Sequence, residues 1–400
     1  MPNEVSAPGT ELYSSAEKLG ELIARELKID KRLYLFSPDE TTSNKLDKVY
    51  GSTERAWALP KKDWDLPESD KGRVIELLSE NVLFATMIGH ILGNHERAYM
   101  ASYESFFSII TSQILQHIKF LKQASETNWR KKQGNSEGEF PAVNLLSTST
   151  CWRQDHNGFS HQSPALISTL LDVPSSFVNC IFPVDDVSTT AVFDFMNESR
   201  DVVNLVTFNK TEEPRWIDRR HAKFQIENGG ASIFGFMSDE NPEVIFTAAG
   251  DIVTRETIYA MRILREEIPG IKMRFVGILA LTNGVIGFCD NKFSQEQFDD
   301  YFTTDAPIIG NFHGYPSTLK TILSNYASPE RLYIHGFREN GSTTTPFEML
   351  AMNGASRYNL VITVAKLKKR DDLVEKYEEL LRENREFARE NGVDKVTEHL

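Results

Sequence analysis

Apolar positions along the chain follow two periods. Between 14 and 27 they fall at Ala16, Leu19, Leu22, Ile23 and Leu27, one stripe of a helix, with Ser14 and Glu17 in capping-box spacing. Short apolar runs of strand length follow at 33–36, 142–146, 177–182, 203–208, 244–248, 273–279, 307–312 and 332–334. Helical patterns lie between them at 105–121, 189–196, 254–267 and 316–326. Strands alternating with helices predict an α/β fold with mainly parallel sheets flanked by helices. A final pattern over 371–392 predicts a docked surface helix that buries Leu373, Tyr377, Leu380, Leu381 and Phe387.

Between 216 and 242 the periodicity weakens, and Gly229-Gly230 and Asn241-Pro242 punctuate it. The boundary is expected there, giving two consecutive domains, 14–230 and 240–400, after a polar lead over 1–13. A polar insert at 131–140 has the composition of a loop.

Composition narrows the functional classes. The 400 residues are 40% hydrophobic and 25% charged, ordinary for a globular protein and too long for one typical domain. The net charge of −13 comes with no basic stripe, which argues against a nucleic-acid binder but leaves room for a locally positive small-molecule pocket. Cys151, Cys180 and Cys289 are widely spaced and suit a reducing compartment. The first residues lack a signal-peptide pattern, and the longest apolar stretch, 275–288, is interrupted at Thr282, Asn283 and Gly284 and too short to span a bilayer. A cytoplasmic protein is expected.

Three segments hold more functional side chains than packing requires. The densest runs from Trp152 through Arg153, Gln154, Asp155, His156, Asn157, Gly158, Phe159, Ser160 and His161 to Gln162, at the C-terminal end of a predicted strand, where parallel sheets place ligands. The spacing of Asp155, His156 and His161 matches no common metal-ligand pattern, and the Gly-x-Ser-x-Gly elbow of a serine hydrolase is missing. The second segment, 341–347, reads as a helix start with Thr345 as cap and Pro346 at the first helical position. The third is Ser79-Glu80, on local grounds a helix start as well. A further run of turn formers, 37–44, follows the first predicted strand.

Taken in order, these segments resemble the phosphoketolases, thiamine-diphosphate enzymes of the transketolase superfamily. The matching stretches are SPDETTSNKL (37–46), RVIELLSE (73–80), ASYESF (101–106), QHIKFL (116–121), NWRKK (128–132), TCWRQDHNGFSHQ (150–162), AAGD (248–251) and GSTTTPFEM (341–349) with RY at 357–358. The resemblance covers only the second half of such an enzyme. It implies a transketolase-like domain that binds the aminopyrimidine ring of thiamine diphosphate, followed by the family's C-terminal domain. The preceding domain grips the diphosphate through Mg²⁺ with a Gly-Asp-Gly motif. The one Gly-Asp here, Gly250-Asp251, continues into Ile252 and belongs to the C-terminal match. The chain, opening at Met1, is therefore expected to be one subunit of a split enzyme, a heterotetramer with a partner that supplies the diphosphate domain and holds the Mg²⁺.

The resemblance also implies roles. Glu80 is the carboxylate that hydrogen-bonds the pyrimidine and promotes its imino tautomer, the base for thiazolium activation. Tyr103 and Phe106 are aromatics around the ring. Gln154, His156, Asn157 and His161 lie over the reacting carbons, for proton transfer and alkoxide stabilisation. Ser43 and His161 belong to the substrate pocket, and Lys210 stands where the family has a lysine near the sugar phosphate. The implied reaction is an aldehyde-lyase step of carbohydrate metabolism. It cleaves a carbon–carbon bond of a ketose or ketose phosphate and, with inorganic phosphate, yields acetyl phosphate or a related acyl product.

Several positions depart from the family. Asn81 to Ala85 replace His-Gln-Cys-Glu-Gly, Thr211-Glu212-Glu213-Pro214 follows Lys210 in place of Gln-Pro, and His313-Gly314-Tyr315 replaces His-Ser-Tyr. Substrate positions are kept less well than cofactor positions, so the donor need not be xylulose 5-phosphate or fructose 6-phosphate. A split transketolase-type transferase and a non-catalytic scaffold are the alternatives. Retention of Glu80 and of the 152–162 run speaks against the scaffold.

Overall fold

The structure, a computed structural model, describes residues 11–38, 40–65, 68–126, 139–153 and 158–399. Most of the strand-like runs of the sequence become neighbours in two sheets. The larger has ten strands in the order Val285–Ile286, Ala280–Thr282, Val178–Ile181, Val203–Thr207, Val143–Thr148, Ala98–Tyr103, Tyr34–Ser37, Val74–Glu76, Arg55–Ala56 and Glu68–Ser69. All its pairings are parallel except those made by Ala280–Thr282. The second sheet runs Ala231–Ile233, Met273–Ile278, Val244–Ala249, Ile308–Phe312 and Leu332–Gly336, parallel apart from its first strand. Immediately after Met273–Ile278 the chain returns to the first sheet with 280–286. The two sheets thus share a continuous stretch of backbone, and one hydrophobic cluster joins Val178 and Cys180 to Ile278, Phe312 and Leu319.

Helices cover the sheets where their apolar stripes demand it. Ser15–Ile29 begins at Ser14, whose side chain accepts from the Glu17 amide, and it buries Leu19, Leu22, Ile23 and Leu27. Asp251–Glu267 is buried along most of its length, between its sheet and the helix Arg357–Leu367. No helix is long and apolar enough to cross a membrane, among the described residues.

Three of the local differences from the sequence expectation have a plain physical reason. The strand Ala98–Tyr103, near the middle of the large sheet, is absent from the predicted strands. Both its faces are buried, so AYMASY carries no alternation to find. The pattern at 105–121 opens as a 3₁₀ segment, Glu104–Ile110, before the α-helix Thr111–Glu126, and three residues per turn put Glu104, Phe107 and Ile110 together on the buried side. In the last helix, Asp371–Asn391, Leu373 and Tyr377 are buried, but Phe387 is 37% exposed and Asn384 is buried in its stead. Asn384 faces inward because its side chain donates to Asp394 and accepts from the Lys395 and Val396 amides.

Candidate active site

Glu80 is the first residue of the helix Glu80–Asn94, capped by Ser79, whose Oγ accepts from the Val82 amide. Both local readings of Ser79-Glu80 are compatible, because a helix N-terminus also suits a carboxylate. Among the described residues the Glu80 side chain has no hydrogen-bond or ion-pair partner in this chain. Its neighbour in charge is Glu40, from the loop after Tyr34–Ser37. Glu40 Oε2 accepts from the Tyr103 amide at 3.3 Å. Burial first, and then the Glu80 charge, push the Glu40 carboxyl up to about 7, against that amide's opposing pull. Glu40 sits inside the quoted 37–46 stretch, yet nothing in its spacing distinguished it from other turn residues.

Tyr103 ends its strand and stacks on Phe106 with ring centroids 5.8 Å apart. Phe106 meets the His161 ring edge-on at 5.1 Å, and His161 Nδ1 lies 2.8 Å from Ser160 Oγ. The Tyr103 hydroxyl donates to Ser43 Oγ at 3.0 Å, and Lys210 Nζ lies 5.3 Å from the Tyr103 ring centroid. The fold therefore brings Ser43, Tyr103, Phe106, His161 and Lys210, drawn from distant parts of the sequence, around one aromatic platform. Gln154, His156 and Asn157, with Asp155, lie outside the described residues.

The run ending at Gln162 also meets the 341–347 segment. Gly158 has φ +63°, and a Cβ there would lie 2.1 Å from Thr343 Oγ1, so only glycine permits the approach. Thr345 precedes the helix Pro346–Met352 as expected but does not cap it with its side chain. Asp394 does, accepting from the Thr345 hydroxyl and the Phe347 and Glu348 amides. A carboxylate from a later segment is invisible to local pattern reading.

Beneath the platform lies a second cluster. Glu104, adjacent to Tyr103, accepts from the Cys151 amide at 2.7 Å through Oε2, and its Oε1 lies 2.7 Å from His313 Nε2. All three residues are buried. Burial opposes charge on His313, but the Glu104 carboxylate outweighs it and raises the imidazole pKa. The His313 carbonyl accepts from the Trp152 indole at 3.1 Å. Gly250, at φ +121°, makes room, since a Cβ there would stand 2.8 Å from the His313 Cβ. This interlock ties the Tyr103–Phe106 segment and the start of the 152–162 run to the second sheet. In the sequence His313 stands out only as part of a departure from the family, and Glu104 only as a lone acid within an aromatic run.

The platform opens into a cavity of about 740 Å³ lined by Ser43, Tyr103, Arg153, Lys210, Glu212 and Glu398, among others. Of the two acids after Lys210, only Glu212 faces it. In the strand Glu212–Pro214 successive side chains point to opposite sides, so Glu213 turns inward to Arg255 Nη1 at 2.9 Å.

An aromatic pair beside an unpartnered carboxylate at a helix start offers a flat apolar surface with one acceptor at its edge. An aromatic surface with a single carboxylate acceptor fits the aminopyrimidine ring of thiamine diphosphate.

Comparison with known proteins identifies the family and the fold. The family described as D-xylulose 5-phosphate/D-fructose 6-phosphate phosphoketolase matches residues 17–199, and its C-terminal domain matches 210–398. A probable phosphoketolase of Pseudomonas putida is 36% identical over 333 residues, covering 82% of this chain and 41% of the relative. One from Rhodopseudomonas palustris is 34% identical over 401 residues, covering 98% and 50%. The chain thus spans about half the length of the curated relatives it matches. Among solved structures, a transketolase mutant from Pichia stipitis superposes with TM-score 0.68 at 17% identity, covering 90% of this chain and 47% of that one. A chain titled split gene transketolase, inactive beta4 tetramer, superposes with TM-score 0.58 at 15% identity, covering 88% of this chain and 97% of that one. The fold is transketolase-like, and the chain belongs to the phosphoketolase family, whose members use thiamine diphosphate, and corresponds to the C-terminal part of its full-length proteins.

Proposed function

We propose that this chain is the pyrimidine-binding and C-terminal subunit of a split phosphoketolase-like enzyme. A partner subunit carries the diphosphate- and Mg²⁺-binding domain. The single observation that carries the reading is the Glu80 edge of the platform. The helix Glu80–Asn94 exposes Asn81, Val82, Ala85, Thr86, Gly89 and Gly93, a face without a charged side chain in a protein that is 25% charged. Leu78 is 84% exposed beside it, and Ile109 lies on the neighbouring segment, which Gln113 ties to the Asn81 carbonyl. An uncharged, small-residue helix face next to a free carboxylate suits another protein surface closing over a shared site. That a split gene transketolase has a chain of this extent supports the same arrangement.

In this reading Glu80 accepts a hydrogen bond from the pyrimidine ring, with Tyr103 and Phe106 bounding the ring's surroundings. Bound thiamine diphosphate supplies the nucleophilic carbon and the electron sink that carbon–carbon cleavage needs. His161, with Gln154, His156 and Asn157, handles protons at the substrate hydroxyls. Ser43 and Lys210 hold the substrate's far end. Domains over 14–230 and 240–400 complete the assignment, with residues 280–286 lent back to the first sheet.

Co-expression with a candidate diphosphate-domain partner and light scattering tests the assembly. The expected mass is that of two copies of each chain, with acetyl phosphate formed only when ketose and inorganic phosphate are both present. A one-to-one heterodimer that turns over substrate overturns the heterotetramer. Turnover to a ketose product without phosphate favours the transketolase-type alternative.

A further inference from the structure

The 152–162 run is held at both of its described ends, and one later segment, 394–398, stands behind both holds. At the far end Gly158 packs on Thr343, whose Oγ1 lies 3.5 Å from the Phe159 amide. Two residues on, Thr345 donates its hydroxyl to Asp394 at 2.6 Å, and the Phe347 and Glu348 amides donate to the same carboxylate. At the near end Arg153 Nη1 lies 2.6 Å from Glu398 Oε1. Asp394 and Glu398 belong to one short stretch of backbone, which therefore sets the distance between the two holds.

That stretch is itself fixed. Glu398 Oε1 also lies 3.1 Å from Arg255 Nη1. Arg357 donates to the Thr397 carbonyl through Nη1 at 3.3 Å and to the Glu398 carbonyl through Nη2 at 2.8 Å. Both arginines are buried, and Glu213 and Glu256 hold them in turn. Burial opposes charge on Glu398, yet Arg255 and Arg153 keep its carboxyl below the usual range. A guanidinium docked on a carboxylate that is clamped from behind loses much of its own freedom. Arg153 thereby fixes the start of the run, while Thr343 fixes Gly158, three residues before His161. The His161 ring then meets Phe106 at 5.1 Å, beside the cavity that Glu398 also lines.

We propose that Glu398 is a positioning residue: through Arg153, and with Asp394 through Thr345 and Thr343, it sets the 152–162 run so that the His161 imidazole stands against Phe106. Its effect on turnover rests on the function proposed above, in which His161 handles protons at the substrate hydroxyls. Misplacing such a group by about 1 Å costs up to about 10²-fold in rate.

Histidine side chains labelled with ¹³C at Cε1 report this position by NMR in the chain alone. The His161 signal, assigned by its loss in His161→Asn, is expected to shift in Glu398→Ala. The signals of His117 and His221, which lie in the helices Thr111–Glu126 and Arg219–Glu227, are expected to stay in place. Arg255 retains Glu213 and Glu256 in that variant, which favours an intact fold. Should it fail to fold, Arg153→Gln, which leaves Glu398 on Arg255, is expected to move the same signal. An unmoved His161 signal in a folded variant overturns the proposal, and so does a shift of all three signals together, the mark of general loosening. In the reconstituted complex, Glu398→Ala is expected to lower kcat by about 10–100-fold. KM should stay within about threefold of wild type, and exchange of the cofactor C2 proton within about twofold. A raised KM at unchanged kcat makes Glu398 a substrate contact and overturns the positioning role. Consumption of no ketose by the wild-type complex defeats the proposed function, while the histidine signals still decide this proposal.

Discussion

Two groups of ionisable side chains flank Tyr103, and they are built in opposite ways. The Glu104–Cys151–His313 group is buried, and its members are hydrogen-bonded to one another across 209 residues of sequence. The Glu80 edge is half-open, its carboxylate has no partner among the described residues, and Leu78 and Val82 beside it are exposed. A closed cluster spends its hydrogen bonds on shape, and removing one member strands the others in low dielectric. An open carboxylate beside apolar surface contributes little to shape and is available to something outside the chain. The first region should therefore answer to mutation in stability and the second in function.

The largest effect is expected at the open region. Glu80→Gln keeps size and helix position but removes the carboxylate. In the proposed complex with a diphosphate-domain subunit and thiamine diphosphate, exchange of the cofactor C2 proton for deuterium should slow by about 10²–10⁴-fold, with the unfolding midpoint unchanged. NMR-monitored quench measurements read the rate. An unchanged rate would remove Glu80 from catalysis, and a large loss of stability would show that the open edge is structural after all.

At the closed cluster the ranking reverses. His313→Asn should cost about 3 kcal/mol in urea unfolding, the scale expected when one member of a buried charged pair is deleted. Because Glu104 and His313 touch, the double variant with Glu104→Gln should cost less than the sum of the singles. Additive losses would mean that the two side chains do not act as a unit, and the contrast with Glu80 would lose its physical basis.

How far each region could be read from the sequence follows the same division. The alternation of strands and helices was legible because apolar periodicity is local, and Ser14 capping toward Glu17 was legible for the same reason. The platform was legible only through family resemblance, since Ser43, Tyr103, Phe106, His161 and Lys210 share no spacing. Contacts made across the chain left no local trace. Asp394 capping the helix Pro346–Met352, Glu398 reaching Arg153, and His313 meeting Glu104 each pair residues from separate segments. Glu40 was hidden for a different reason. Its run of turn formers explains itself without chemistry, and only folding brings it against Tyr103 and Glu80.

Glu40 stands between the two regions and gives the smallest and sharpest test. Its carboxyl is pushed up to about 7 from an ordinary 4.5. Between those pH values the folded chain holds a proton that the unfolded chain releases, so this group's contribution to stability falls as pH rises through the window. The full shift corresponds to ~3 kcal/mol, and solvent screening of a partly exposed group brings the expected effect to about 1 kcal/mol. His117, His221 and His335 act in the other direction. Burial pushes each of them down to about 4, so they withdraw stability as pH falls below their ordinary 6.5. Their slope is common to wild type and Glu40→Gln, and the difference between the two curves isolates Glu40. That difference should grow in favour of the variant from pH 4.5 to 7 and then level off. Repeating it in the Glu80→Gln background should shrink it, because the Glu80 charge supports the shift. Parallel curves in both backgrounds would place Glu40 with the solvated edge and deny it any part in the desolvated floor beneath Tyr103.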